Sequence, residues 1–226
     1  MPIIEIEASN LGGLTEGVND TPYPTIQSNP NATFYVGNNQ AYEYVGQMYQ
    51  LYTGPPQYYC FYIDRPGLVF DISSLSGKTA LTATISLFGN DDASYTDFDV
   101  TLISGNDLAD TLIAADYGEL LNDVTSYGSF NTSSFILEAW NTITLNAEGL
   151  VALQAAIDGG SGKFRLGIRS SRDISATTPK LNGDNYYGEL VAFYGNTANK
   201  KPKLKVTVQS QMMAGLPPIF MKAMGL

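Results

Sequence analysis

Thr79-Ala80-Leu81-Thr82-Ala83-Thr84-Ile85-Ser86-Leu87-Phe88 is the stretch that decides the fold. Leu81, Ala83, Ile85 and Leu87 share one side of an extended chain, and Thr82, Thr84 and Ser86 share the other. Successive side chains of a strand point to opposite faces, so this period of two marks a strand with one face buried. Gly89-Asn90-Asp91-Asp92 reads as the turn that follows.

The same alternation recurs on either side. Residues 97–103 bring Phe98, Val100 and Leu102 together, and 163–169 do so for Phe164, Leu166 and Ile168. Residues 203–208 put Leu204, Val206 and Val208 inward and Lys203, Lys205 and Thr207 outward. Lysine on an outer face discourages edge-to-edge pairing. Residues 58–63, 68–72, 140–145 and 189–194 read as further short strands. Asn146 reads as the N-cap of one short helix, with Leu150, Leu153 and Ile157 on a common face and Gly159-Gly160 as its stop. Residues 106–123 fit either a helix or irregular structure. The spacing of strands and turns predicts an all-β chain. It would be an antiparallel two-sheet β-sandwich, jelly-roll-like, with extended N- and C-terminal arms. The divisions are an arm at 1–19, the sandwich at 20–209 and an apolar tail at 210–226.

Composition agrees and also excludes. Charged residues make up 15% of the 226, a low share, and Gly, Ser, Thr, Asn and Tyr fill the gap. The chain has no histidine, which removes the commonest general base and metal ligand. Cys60 is the only cysteine, so an internal disulfide is impossible, and its neighbours Tyr59 and Phe61 point to a buried thiol. A net charge of −10 argues against nucleic acid as a partner. Residues 1–150 carry 2 basic and 18 acidic side chains, and 151–226 carry 10 and 4. Halves folded apart would make the molecule electrically polar, whereas halves interleaved in one sandwich would mix the charges, which is the simpler expectation. The start, Met1-Pro2-Ile3-Ile4-Glu5-Ile6-Glu7, lacks the basic and apolar regions of a signal peptide, and no run has the length of a membrane span. The expectation is therefore assembly in a host cytoplasm, with no membrane partner.

Val69-Phe70-Asp71-Ile72-Ser73-Ser74-Leu75, the alternating 83–88 and Pro202-Lys203-Leu204-Lys205-Val206-Thr207-Val208 together resemble the DNRLRE type of β-sandwich. Residues 140–145 and 167–173 resemble further segments of such domains, and the resemblance spans roughly 20–209. It implies a fold like that of carbohydrate-binding modules. It also implies use in surface and adhesive proteins, beside polysaccharide enzymes and in phage-encoded structural proteins.

Candidate chemistry is sparse. Asp91, Asp92, Asp97 and Asp99 cluster in sequence around one loop and could offer oxygens to calcium, although no calcium-loop pattern is present. Gly159-Gly160-Ser161-Gly162-Lys163 lacks the first glycine and the terminal Ser or Thr of a phosphate loop and reads as a helix stop. Tyr42, Tyr44, Tyr49, Tyr52, Tyr58, Tyr59 and Tyr62 form a tyrosine-rich stretch, which fits sheet packing with one or two rings left for contact. Trp140 reads as packing. Arg169, Arg172 and Asp173 read as an ion pair tying a loop to the sandwich. The tail is Met-rich, apolar and broken at Pro217-Pro218, and a solvated tail would not have that composition. Met213, Leu216, Ile219, Phe220, Met221 and Met224 are its candidate interface residues.

The first expectation is a non-catalytic structural or accessory protein of a phage virion, a capsid-decoration or tail-associated component docked through its termini. Its partners would be copies of itself or other virion proteins, and it would need no cofactor, calcium being the one ion considered. The alternative is a carbohydrate-binding module or adhesin that holds a glycan through exposed tyrosines, located outside the cell or at its surface.

Overall fold

In the computed structural model, residues 1–38, 40–179 and 185–210 are described. Strands are β1 (Ile3–Glu16), β2 (Tyr35–Asn38), β3 (Tyr42–Tyr52), β4 (Tyr58–Asp64), β5 (Gly67–Asp71), β6 (Lys78–Asp92), β7 (Asp99–Ser104), β8 (Gly128–Asn131), β9 (Trp140–Thr144), β10 (Lys163–Ser170), β11 (Tyr186–Tyr194) and β12 (Lys203–Ser210). Four short helices intervene, α1 (Tyr23–Gln27), α2 (Asp116–Asn122), α3 (Ala147–Asp158) and α4 (Ser171–Ile174). The chain is an antiparallel all-β sandwich.

Two long strands make the sandwich by belonging to both layers. β1 pairs through Ile3 to Glu7 with β12, passes a bulge between Ala8 and Asn10, and then pairs with β5, β2 and β4. β6 pairs with β12 and β9 and then, past Gly89, with β11. One layer therefore runs β9-β6-β12-β1 and the other β8-β7-β10-β5-β1-β4-β3-β11-β6. Strands that switch sheets at a bulge are how such layers turn a corner. Between the layers lies the main core. Ala83, Ile85, Leu87, Leu204 and Val206 of one layer face Phe70, Val100, Leu102, Phe164 and Leu166 of the other, all nearly inaccessible. α3 touches both β6 and β10, adding Leu153 and Ile157 to that core; Asn146 caps it through Gly149 N–H at 2.9 Å. A second core, with Leu14, Tyr23, Ile26, Phe61, Tyr117 and Leu120, sits under α1 and α2.

Three expectations change. Residues 1–19 are not a free arm, because Ile3–Glu16 is integral to both layers. Among the described residues there are four short α-helices rather than one, and residues 106–123 contribute α2. Leu81 is only half-buried: β12 slips register between Thr207 and Val208, opposite Thr82 and Ala80, so Ala80 rather than Leu81 packs on the core. The two charge halves interleave. Lys203 and Lys205 meet Glu5, Lys200 meets Glu138, and Lys163 and Arg165 meet Asp110.

A buried ionic knot holds α1, α2 and α4 to the larger layer. Arg65, in the β4–β5 turn, grips Asp173 with two bonds of 2.8 Å and donates to the Tyr117 and Gln27 carbonyls. Its guanidinium lies 3.9 Å from the Tyr117 ring centroid. Arg169 donates to the same carboxylate at 2.7 Å and to the Leu120 carbonyl. Burial raises the pKa of Asp173, but the two guanidiniums outweigh it and hold the carboxyl at about 2. Arg172 pairs instead with the buried Glu189 at 2.9 Å. The Arg169–Arg172–Asp173 cluster is thus structural in its contacts.

Candidate functional site

The tyrosine-rich stretch divides according to the strand period. Tyr42 to Tyr52 is β3 and Tyr58 to Asp64 is β4, paired so that Tyr52 faces Tyr58 and Met48 faces Tyr62. Tyr49 and Tyr59 pack on the second core, and Tyr52 stacks on Tyr58 with ring centroids 4.5 Å apart. Tyr42, Tyr44 and Tyr62 instead line a cleft of about 510 Å³. β11 adds Tyr186 and β2 adds Tyr35 and its neighbour Phe34. Tyr35 is 40% exposed and Tyr42 47%, so ring faces remain available to a ligand. Phe34 meets Tyr62 edge-on at 4.9 Å and Tyr42 meets Tyr44 edge-on at 5.8 Å. Outside the cleft, Tyr95 stands 67% exposed with its ring 6.1 Å from that of Tyr186 and extends the aromatic surface.

Two carboxyls sit among the rings. Glu43 is only 5% exposed, and its Oε1 has no hydrogen-bond partner. Gly13 makes room for it: a Cβ there would lie 2.1 Å from Glu43 Oε2. Burial, reinforced by the nearby Asp64 charge, pushes the Glu43 carboxyl up to about 8, with the Gly13 backbone N–H as the opposing influence. Asp64 is pushed up to about 6 by burial, against the hydroxyl hydrogen bond that Thr15 donates to it. Asp91 completes the acidic lining, and no lysine or arginine lines the cleft among the described residues. Gly46 lies in β3 opposite Asp64 of β4 and Leu190 of β11. Its φ of +134° is one that side-chain-bearing residues rarely adopt, and a Cβ would lie 2.1 Å from the Glu189 carbonyl oxygen.

Glu43, Asp64, Tyr35 and Tyr186 were not singled out from sequence. The available signal was a glutamate between two tyrosines inside a strand, Tyr42-Glu43-Tyr44, where a solvated acid is out of place. The four loop aspartates do not converge. Asp91 lines the cleft, Asp92 holds the Ser94 N–H at 3.0 Å, Asp97 accepts from Thr132 Oγ1, and Asp99 accepts from Asn131 Nδ2 at 2.8 Å. Among the described residues no three acids or cysteines are grouped to hold a metal. Cys60 is buried, and burial raises its thiol pKa, the opposite of an activated nucleophile. Trp140 packs edge-on to Phe88 at 5.1 Å. Gly159 and Gly160 end α3, and β10 starts at Lys163. The interface candidates Met213, Leu216, Ile219, Phe220, Met221 and Met224 lie outside the described residues. No described helix is long and apolar enough to cross a membrane.

No protein-family model matches the chain, and no curated protein matches it in sequence. The likeness to DNRLRE-type domains therefore rests on the strand segments quoted above.

Proposed function

We propose that the chain is a non-catalytic binding module that holds a carbohydrate in the cleft between β2, β3, β4 and β11. The observation that carries this reading is the cleft's lining. Five tyrosines and a phenylalanine surround three carboxyls in about 510 Å³, within the range of small-ligand sites. Sugar rings present apolar C–H faces for aromatic stacking and hydroxyls for carboxyl and phenol hydrogen bonds. The tyrosine phenols and the partly exposed Asp64 carboxyl offer hydrogen bonds to sugar hydroxyls. The rings come from elements locked by the β3–β4 and β3–β11 ladders, which favours a pre-formed site.

A glycan array tests it. The expected result is saturable binding to a defined set of glycans that Tyr42→Ala removes, because Tyr42 is half exposed and its loss leaves both cores intact. An array without signal, or one that Tyr42→Ala leaves unchanged, contradicts it.

A phage virion is the setting supported by the apolar tail at 211–226 and by the DNRLRE resemblance. There the tail would dock on neighbouring proteins while the cleft presents outward.

A further inference from the structure

The cleft's charge is unbalanced in a way that stacking on a neutral sugar does not require. Glu43 and Asp64 lie within reach of each other's field, Asp91 lines the same space, and no lysine or arginine among the described residues lines it. From β1 come Thr15 and the Gly13 N–H, from β2 Tyr35, and from β4 Asp64 and Tyr62. From β6 comes Asp91, from β11 Tyr186, and on β3 Tyr42 and Tyr44 flank Glu43 itself. Five acids elsewhere among the described residues have cationic partners. Glu5 has Lys203, Asp110 has Lys163 and Arg165, Glu138 has Lys200, Glu189 has Arg172 and Asp173 has two arginines. Glu43 is the buried acid whose Oε1 is left with nothing, and aromatic faces surround it. Rings with a negative face and carboxyls with no counter-charge are the two halves of an organic-cation site.

We infer that the cleft recognises an ammonium group, carried on the sugar that the proposed function places there: an amino sugar with a free amine. The inference rests on that reading for the sugar and on the Glu43–Asp64–tyrosine geometry for the cation. The ammonium sits against the ring faces, in the field of the Glu43 and Asp64 carboxyls behind them, and its charge draws both carboxyls into their ionised forms. Protons then leave the protein as the cation binds. Affinity for a permanently charged probe accordingly rises with pH until Glu43 is ionised in the free protein, at about 8.

The test is calorimetric titration of the full chain with four probes. Choline is compared with its neutral isostere 3,3-dimethyl-1-butanol, and a glucosamine oligomer with a cello-oligomer of equal length. The expected result is that choline and the glucosamine oligomer each bind about tenfold tighter than their neutral counterparts. Choline binding should release protons, seen as a dependence of the heat on buffer ionisation, and Glu43→Gln should lower choline affinity about tenfold. Glu43→Gln removes a buried, unpaired acid, so it should fold; a thermal melt confirms that in the same sample. If both oligomers bind equally and choline binds no better than its isostere, the ammonium inference is overturned and the carbohydrate reading stands. If choline binds and neither oligomer does, the ammonium inference stands and the carbohydrate reading falls. If nothing binds, both are overturned.

Discussion

Glu43 and Gly13 show how one position serves another. The carboxyl occupies the space that any side chain at Gly13 would fill. Alanine there should expel Glu43 and cost about 1–3 kcal/mol. In a Glu43→Ala background the same substitution should cost much less, so a double-mutant cycle by denaturant unfolding reads out the coupling. Glu43 also ties stability to pH. Its folded pKa of about 8 lies above the ordinary 4.5, so the folded protein holds a proton that the unfolded chain has given up. Stability is fully present below about 4.5 and declines as pH rises through about 8, and Asp64 adds to the decline between 3.8 and about 6. Thermal melts from acid to mild alkali should show the decline in wild type, on the order of 3 kcal/mol from Glu43, and a flatter profile in Glu43→Gln. A wild-type profile that rises with pH over that window would contradict the assignment. None of this was legible beforehand. An acidic chain offers many carboxyls, and only the fold tells which one lacks water and a partner.

At the scale of elements, legibility followed the period of two. β7, β10 and β12 carry an uninterrupted alternation, and their inward sets, from Phe98 to Val208, are the ones buried in the main core. β6 failed at one residue, Leu81, because a bulge shifts phase without any mark in composition. β1 was mistaken for an arm although Ile4 and Ile6 alternate with Glu5 and Glu7, since the glycines and polar residues after them dilute the pattern. Arg65 was invisible for a different reason. It sits in Asp64-Arg65-Pro66-Gly67, which looks like an ordinary turn, and its partner Asp173 is 108 residues away. The ion knot it forms is where helices are anchored, so Asp173→Asn should destabilise by about 3–5 kcal/mol, leaving two buried guanidiniums without their counter-charge. Chemical denaturation measures this directly. A cost under about 1 kcal/mol would mean the knot is not holding α4. In wild type the Asp173 contribution is present above the ordinary carboxylate value of 3.8 and is lost as pH falls through about 2.

Across the whole molecule, the sharp division of charge along the sequence disappears in space. β12 lies between β1 and β6, and β10 between β5 and β7, which places C-terminal lysines and arginines beside N-terminal acids. Head-to-tail association through charge thus finds no support in these ion pairs, and the apolar composition of 211–226 makes that segment the one to test for assembly. Light scattering on the full chain and on a chain ending at Ser210 should give an assembled species and a monomer respectively; two monomers with equal melting temperatures would leave the tail to a separate partner. The sandwich also explains why the tyrosine cleft opens where it does. A strand buried on both faces offers nothing to a ligand, and β3, β4 and β11 keep tyrosine faces open beside β2.

The cleft is the centre of this account, and a binding isotherm tests it most directly. The glycan giving the strongest array signal would be titrated into wild type, Tyr42→Ala and Tyr35→Ala. One saturable site is expected in wild type, weakened about tenfold or more in each variant with melting temperature unchanged. Equal affinity in all three proteins, or no saturable binding in wild type, would contradict it.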